Sequence, residues 1–193
     1  KTLKDFTLTQ ILTPGDIIKV RVKSVHNNEV LFALEQDPEV QGAVVALEPD
    51  TGFVRTLIGV YDFIKSEYNR ALYAERQPGS AFKPIIYAAA LDNDFTPASI
   101  IVDEPITYHG GPKGKWEPEN YDHKFYGPTS LREALTYSRN VVTIKLVEEV
   151  GISNVIAFAR KIGIQGQMPH DLTLALGSLS LTPFELALCY SVF

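Results

Sequence analysis

Cysteine is almost missing. Cys189 is the only one in 193 residues, so no internal disulfide can staple the fold, and it lies in an apolar run that reads as buried helix. Cysteine usage therefore leaves the redox compartment open. Positive charge is not in surplus either: 18 Lys and Arg against 23 Asp and Glu give a net charge of −5, which offers no electrostatic footprint for nucleic acid. The histidines, His26, His109, His123 and His170, are scattered, with no His-x-x-x-His spacing and no cysteine pair to complete a metal site. Glycine-rich dinucleotide and Walker patterns are absent, so nucleotide binding has no support and no cofactor is expected. No apolar run reaches the roughly 18 residues of a membrane span, and Lys1-Thr2-Leu3-Lys4-Asp5 lacks the apolar core of a signal peptide.

What is present suffices for a core. Hydrophobic residues make up 45% of the chain and aromatic residues 10%, which suits a globular domain with an appendage. Ile18, Val20 and Val22 alternate with Lys19, Arg21 and Lys23; Asn27-Asn28 and the run Val30 to Leu34 follow, predicting a β-hairpin with one wet face. Glu35-Gln36-Asp37-Pro38-Glu39 reads as a linker. Residues 43–59 predict a second hairpin turning at Glu48-Pro49-Asp50-Thr51-Gly52, and the apolar run Ala43 to Leu47 predicts a sheet covered on both faces. Asn93 to Gly127 reads as a long ordered loop. Helical signals then dominate. Ser130-Leu131-Arg132-Glu133 is a capping box opening a short helix, Val141 to Val150 is a helix stopped by Gly151, and Ser153 caps another that ends at Gly163. Thr182-Pro183-Phe184-Glu185 opens a last helix that the chain cuts in mid-run, so the chain reads as a fragment of something longer.

Chemistry is suggested at two places. In Pro78-Gly79-Ser80-Ala81-Phe82-Lys83-Pro84 a turn delivers Ser80 to the start of a buried helix, because proline is tolerated in a helix only within its first turn. Lys83, three residues on, projects from the same face, and an ammonium whose pKa burial lowers can take a serine's proton. Read alone, the pair is an N-cap serine with a solvated lysine. Ser138-Arg139-Asn140 sits between two helices, where one hydroxyl can relay a proton and an amide can orient the lysine; read alone, it is a pair of helix caps. The acidic pairs Asp103-Glu104 and Glu117-Glu119 read as solvated loop carboxylates.

Together with Trp116-Glu117-Pro118-Glu119-Asn120-Tyr121 and Ala175-Leu176-Gly177, these motifs occur in an order that resembles the transpeptidase domain of class A penicillin-binding proteins, of the 1A type, from about Val40 to Phe193. The resemblance implies an α+β, β-lactamase/transpeptidase-like domain over residues 37–193, with a sheet hairpin at 43–59 and a helical subdomain at 80–193. Residues 1–36 resemble the end of a small OB-like β domain. It implies Ser80 as nucleophile toward a D-Ala-D-Ala stem peptide, Lys83 as its base, Ser138 as proton donor to the leaving D-alanine, Asn140 as holder of substrate and Lys83, and Trp116 as a wall of the cleft. The implied partners are peptidoglycan stem peptides, with β-lactams as inhibitors.

One departure stands out. The family's Lys-Thr-Gly motif is absent, since no lysine follows Lys161, and losing one oxyanion donor costs roughly 3 to 4 kcal/mol in related chemistry. The fragment alone is therefore expected to be inactive or poorly folded, with self-association through an incomplete sheet as a further expectation. The same serines, lysine and amide serve a D,D-carboxypeptidase, a β-lactamase or a non-catalytic penicillin-binding sensor, and these alternatives stay open. An upstream glycan-polymerising domain, a membrane anchor and a periplasmic location are implied for the parent by the family alone.

Overall fold

A computed structural model describes residues 7–27, 29–109 and 114–193. The chain divides into two compact units, Lys1–Gln41 and Gly42–Phe193. In the first, a single helical turn α1 (Leu8–Ile11) precedes the antiparallel hairpin β1 (Lys19–His26) and β2 (Glu29–Glu35). A register shift between Val22 and Ser24 bulges β1, and Lys19–Asp37 and Arg21–Glu35 ion pairs line the hairpin. Asn28, half of the expected turn, lies outside the described residues. The expected contrast of one dry and one wet face is not seen: Val20, Val22, Phe32 and Leu34 are all exposed.

The second unit opens with the hairpin β3 (Val44–Leu47) and β4 (Val54–Ile58), where sequence placed it. Its expected burial on both faces is not met. Val44 and Ile58 are 55% exposed, because among the described residues β3 and β4 pair only with each other. A helical turn α2 (Arg70–Tyr73), capped by the Asn69 side chain, packs behind β4, in a stretch with no sequence period. A 3-10 turn, Gly79–Phe82, leads into α3 (Lys83–Leu91) with Pro84 in its first turn, where its missing N–H costs nothing.

The stretch read as loop, 93–127, instead carries strands. β5 (Ile100–Asp103) pairs with β8 (Gly127–Ser130), and the two-residue strands β6 (Tyr108–His109) and β7 (Lys115–Trp116) pair with each other. Ladders this short show no alternation to read. The Ser130 capping box forms as expected and opens α4 (Leu131–Thr136). α5 (Asn140–Val150) ends at Gly151, φ +87°. α6 (Ile152–Lys161) is capped by Gly151 and not by Ser153, whose hydroxyl faces His170 at 3.1 Å. Gly163, φ +107°, closes α6 as predicted. A second 3-10 turn, Leu172–Leu176, precedes α7 (Pro183–Tyr190), opened by the Thr182–Glu185 capping box. α7 runs to Tyr190, and the Ser191 N–H donates to the Leu188 carbonyl.

The core lies between α3, α5, α6 and the second 3-10 turn, with Phe82, Ile85, Ile86, Ile144, Leu146, Val155, Ile164 and Leu174 fully buried. Burying such side chains is worth roughly 1.5 to 3 kcal/mol each, which anchors the first turn of α3 from below. Residues on the upper side of that turn are then free for other work.

Candidate active site

Ser80 occupies the 3-10 turn, exposed, with Gly79 before it at φ +56° and Phe82 buried after it. Three contacts hold this turn. Arg76 and Leu181 exchange backbone hydrogen bonds of 2.9 and 3.0 Å, and the Tyr190 hydroxyl donates to the Ala81 carbonyl at 2.6 Å. Gly177 comes so close that a Cβ there would lie 2.2 Å from the Gly79 oxygen, which leaves room only for glycine. The Ser80 hydroxyl caps neither the 3-10 turn nor α3, and among the described residues it makes no hydrogen bond.

Lys83 is not solvated. It is 1% exposed, and its ammonium donates to the Ser138 carbonyl at 2.7 Å, the Ser138 hydroxyl at 3.0 Å and the Asn140 side-chain oxygen at 2.8 Å. All three N–H donors are thus used, and none is used on a carboxylate. Burial without a counter-charge pulls the Lys83 pKa down to about 8.

Ser138 sits where glycine is usual. Its own N–H donates to the Leu135 carbonyl at 3.1 Å and the Arg139 N–H to the Ala134 carbonyl at 2.8 Å, which is a Schellman closure of α4 with Ser138 in the left-handed position, φ +54°. Arg139 extends away over the Tyr126 ring at 3.4 Å and pairs with Asp122. Asn140 is the first residue of α5, and its side-chain N–H donates to the Glu119 carbonyl at 3.0 Å. Neither Ser138 nor Asn140 therefore serves as the ordinary side-chain cap that each would be in isolation.

The structure thus brings Lys83, Ser138 and Asn140 into one hydrogen-bonded cluster, with Ser80 one turn before Lys83 on the same segment. Trp116 is not in that cluster. It stacks on Tyr108, ring centres 5.4 Å apart, and the Tyr108 hydroxyl donates to Glu148, about 12 Å along α5 from Asn140 at the usual helical rise. Two residues that sequence reasoning passed over matter here. Asp103 is 1% exposed, a correction to its reading as a solvated loop carboxylate, and Asn120 is 3% exposed against it. An acidic pair before a proline gave no sign that one member would be buried; the burial of Asp103 depends on the β5–β8 pairing.

The arrangement can do serine acyl transfer: an unengaged hydroxyl, a buried amine whose pKa burial lowers to about 8, and a second hydroxyl hydrogen-bonded to that amine. Comparison with known proteins identifies the family. Residues 42–193 match the family described as the penicillin binding protein transpeptidase domain. The chain is 42% identical over 186 residues to penicillin-binding protein 1A of Pseudomonas aeruginosa, covering 93% of this chain and 22% of that protein. The solved structure of penicillin-binding protein 1A from Haemophilus influenzae superposes with a TM-score of 0.81 at 34% identity, over 91% of this chain and 26% of that one. Penicillin-binding protein A from M. tuberculosis, solved as an imipenem acyl-enzyme complex, matches with a TM-score of 0.66 at 25% identity, over 79% of this chain and 45% of its own. The chain spans about a fifth of the length of the curated relatives it matches.

Proposed function

The chain belongs to the penicillin-binding protein transpeptidase domain family, and on that premise we propose that the protein carrying it crosslinks peptidoglycan by acyl transfer through Ser80. The observation that carries the reading is the Lys83 amine, buried without a counter-ion and bonded to Ser138 and Asn140 one turn from an unengaged serine.

In its neutral form Lys83 accepts the Ser80 proton as the Ser80 oxygen bonds to the carbonyl carbon of the penultimate D-alanine. The Ser80 backbone N–H supplies one donor to the oxyanion. As the peptide C–N bond breaks, Ser138 gives its proton to the departing D-alanine nitrogen and is reprotonated by the Lys83 ammonium along their 3.0 Å hydrogen bond. The Asn140 oxygen keeps Lys83 aimed at both hydroxyls. A stem-peptide amine then attacks the acyl-enzyme, its proton passing by way of Ser138 and Lys83 to the leaving Ser80 oxygen, and the cycle closes. A β-lactam is opened by the same attack, its ring C–N bond breaking as the Ser80 ester forms, and the tethered acyl group leaves slowly. Trp116 as a cleft wall, an extracytoplasmic location, a membrane anchor and a glycan-polymerising partner domain are proposed on the resemblance to the 1A type alone; among the described residues no helix is long and apolar enough to cross a membrane.

Intact mass spectrometry of the full-length protein with penicillin tests the reading. A penicilloyl adduct on the Ser80 peptide is expected, absent in Ser80→Ala. An adduct that survives Ser80→Ala would remove Ser80 from the mechanism. Transfer of the acyl group to an added amine, against its loss to water, separates a transpeptidase from a carboxypeptidase or β-lactamase.

A further inference from the structure

α5 begins without a cap of its own. Its N-cap residue, Arg139, offers no side-chain hydrogen bond to the helix, so the first N–H groups of the helix need an acceptor from elsewhere. That acceptor is the Asn120 side-chain oxygen, 2.8 Å from the Asn140 N–H and 3.3 Å from the Val141 N–H. The residue before it, Glu119, accepts the Asn140 side-chain N–H through its carbonyl at 3.0 Å. Two consecutive residues from a different part of the chain thus fix both the main chain and the amide of Asn140. The oxygen of that amide faces Lys83.

Asn120 is itself oriented by a buried carboxylate. Its side-chain nitrogen lies 3.0 and 2.8 Å from the two Asp103 oxygens and 2.8 Å from the Lys124 carbonyl. A flipped Asn120 would turn its NH2 onto the helix N–H groups and its oxygen onto a carboxylate and a carbonyl, so Asp103 selects the orientation that caps α5. Burial raises the Asp103 pKa, while the Asn120 amide and the charges of Arg139 and Lys145 counter it.

We propose that Asn120, held by Asp103, is a positioning residue of the acyl-transfer site: it sets the start of α5 and through it the aim of the Asn140 oxygen at the Lys83 amine. It touches neither substrate nor the reacting atoms. The inference rests on the acyl-transfer reading for its kinetic consequence, and on geometry alone for its effect on Lys83.

The test uses the full-length protein and penicillin G, separating the noncovalent affinity from the acylation rate constant. Asn120→Ala is expected to slow the acylation step by about 10-fold or more, as ångström-scale misplacement does, with affinity changed less than about threefold. The exchange Asn120→Asp with Asp103→Asn keeps an acceptor on the α5 N–H groups and a donor between the two side chains, loses only the donor to the Lys124 carbonyl, and is expected to bring the rate back to within about 10-fold of the unaltered protein. An Asn120→Ala protein that folds and is acylated at the unaltered rate overturns the proposal. If Asn120→Ala does not fold, the exchange pair decides: folded but about 10-fold or more slow, it also overturns it. Should the unaltered protein form no adduct at all, the acyl-transfer reading fails separately. The positioning claim is then read from 13C-lysine NMR, in which the Lys83 titration midpoint must move in Asn120→Ala, and an unmoved midpoint refutes it.

Discussion

Replacing Ser138 by glycine and, separately, by alanine separates what its backbone costs from what its hydroxyl does. Both variants lose the 3.0 Å hydrogen bond from Lys83, and both keep the Ser138 carbonyl that the ammonium also uses. A lost bond to a charged donor is worth about 1.5 to 3 kcal/mol, the same for the two. They differ in the left-handed position at φ +54°. Alanine retains the clash of Cβ with the backbone there, which costs roughly 1 to 2 kcal/mol, whereas glycine does not. Glycine gives part of this back through a more flexible unfolded chain, leaving a net advantage of about 1 kcal/mol over alanine. In a domain of this size that corresponds to roughly 2 to 4 °C in melting temperature. Parallel thermal unfolding of the two variants measures it. Both should lose acylation by penicillin by a factor on the order of 100 or more, as removal of a positioned proton donor does. Equal melting temperatures for glycine and alanine would refute the strain assigned to Ser138. The hydroxyl thus supports stability and reactivity together at this residue, and only its left-handed backbone works against stability.

Three further outcomes follow from the same geometry. Because neutral Lys83 is the proposed base and titrates at about 8, acylation should rise with pH and level off above that value, about tenfold per unit below it; a flat profile between pH 6 and 8 would exclude Lys83 as the base. The same group makes the folded state bind fewer protons than the unfolded one between about 8 and 10.5, so its contribution to stability rises with pH across that window. Relative to Lys83→Met, measured by urea denaturation at pH 7.5 and pH 10, the unaltered protein should gain stability at the higher pH. Gly177→Ala would drive a Cβ to within 2.2 Å of the Gly79 oxygen, at about 2 to 4 kcal/mol in overpacking and left-handed strain, and should slow Ser80 acylation while leaving the far-UV spectrum unchanged.

Local signals carried well into the fold. The Ser130 and Thr182 capping boxes and the Gly151 and Gly163 stops all appear in the structure, because each is a bargain struck within four residues of chain. Ser153 failed as a cap because a neighbouring glycine already ended one helix and began the next, so the chain had no free turn for it. Strands β5 to β8 were invisible for a different reason: two to four residues give no period, and β5 and β8 find each other only across the whole intervening loop. In the site, Ser80, Lys83, Ser138 and Asn140 could be named from motifs. Asp103 and Asn120 could not, since nothing in an isolated Asp or Asn indicates that it will be closed in by a ladder and a helix end.

The hydrogen bonds that link Lys83, Asn140, Asn120 and Asp103 to one another join residues 17 to 57 positions apart, while the C-termini of α4 and α5 are closed by neighbours in sequence. Contacts of long separation form late, once loops have been closed against entropy. A partly folded chain can thus hold its helices and still have no aimed lysine. On the acyl-transfer reading, a labelled penicillin would then count finished molecules only, and its stoichiometry would be a census of correctly folded protein in a mixed preparation.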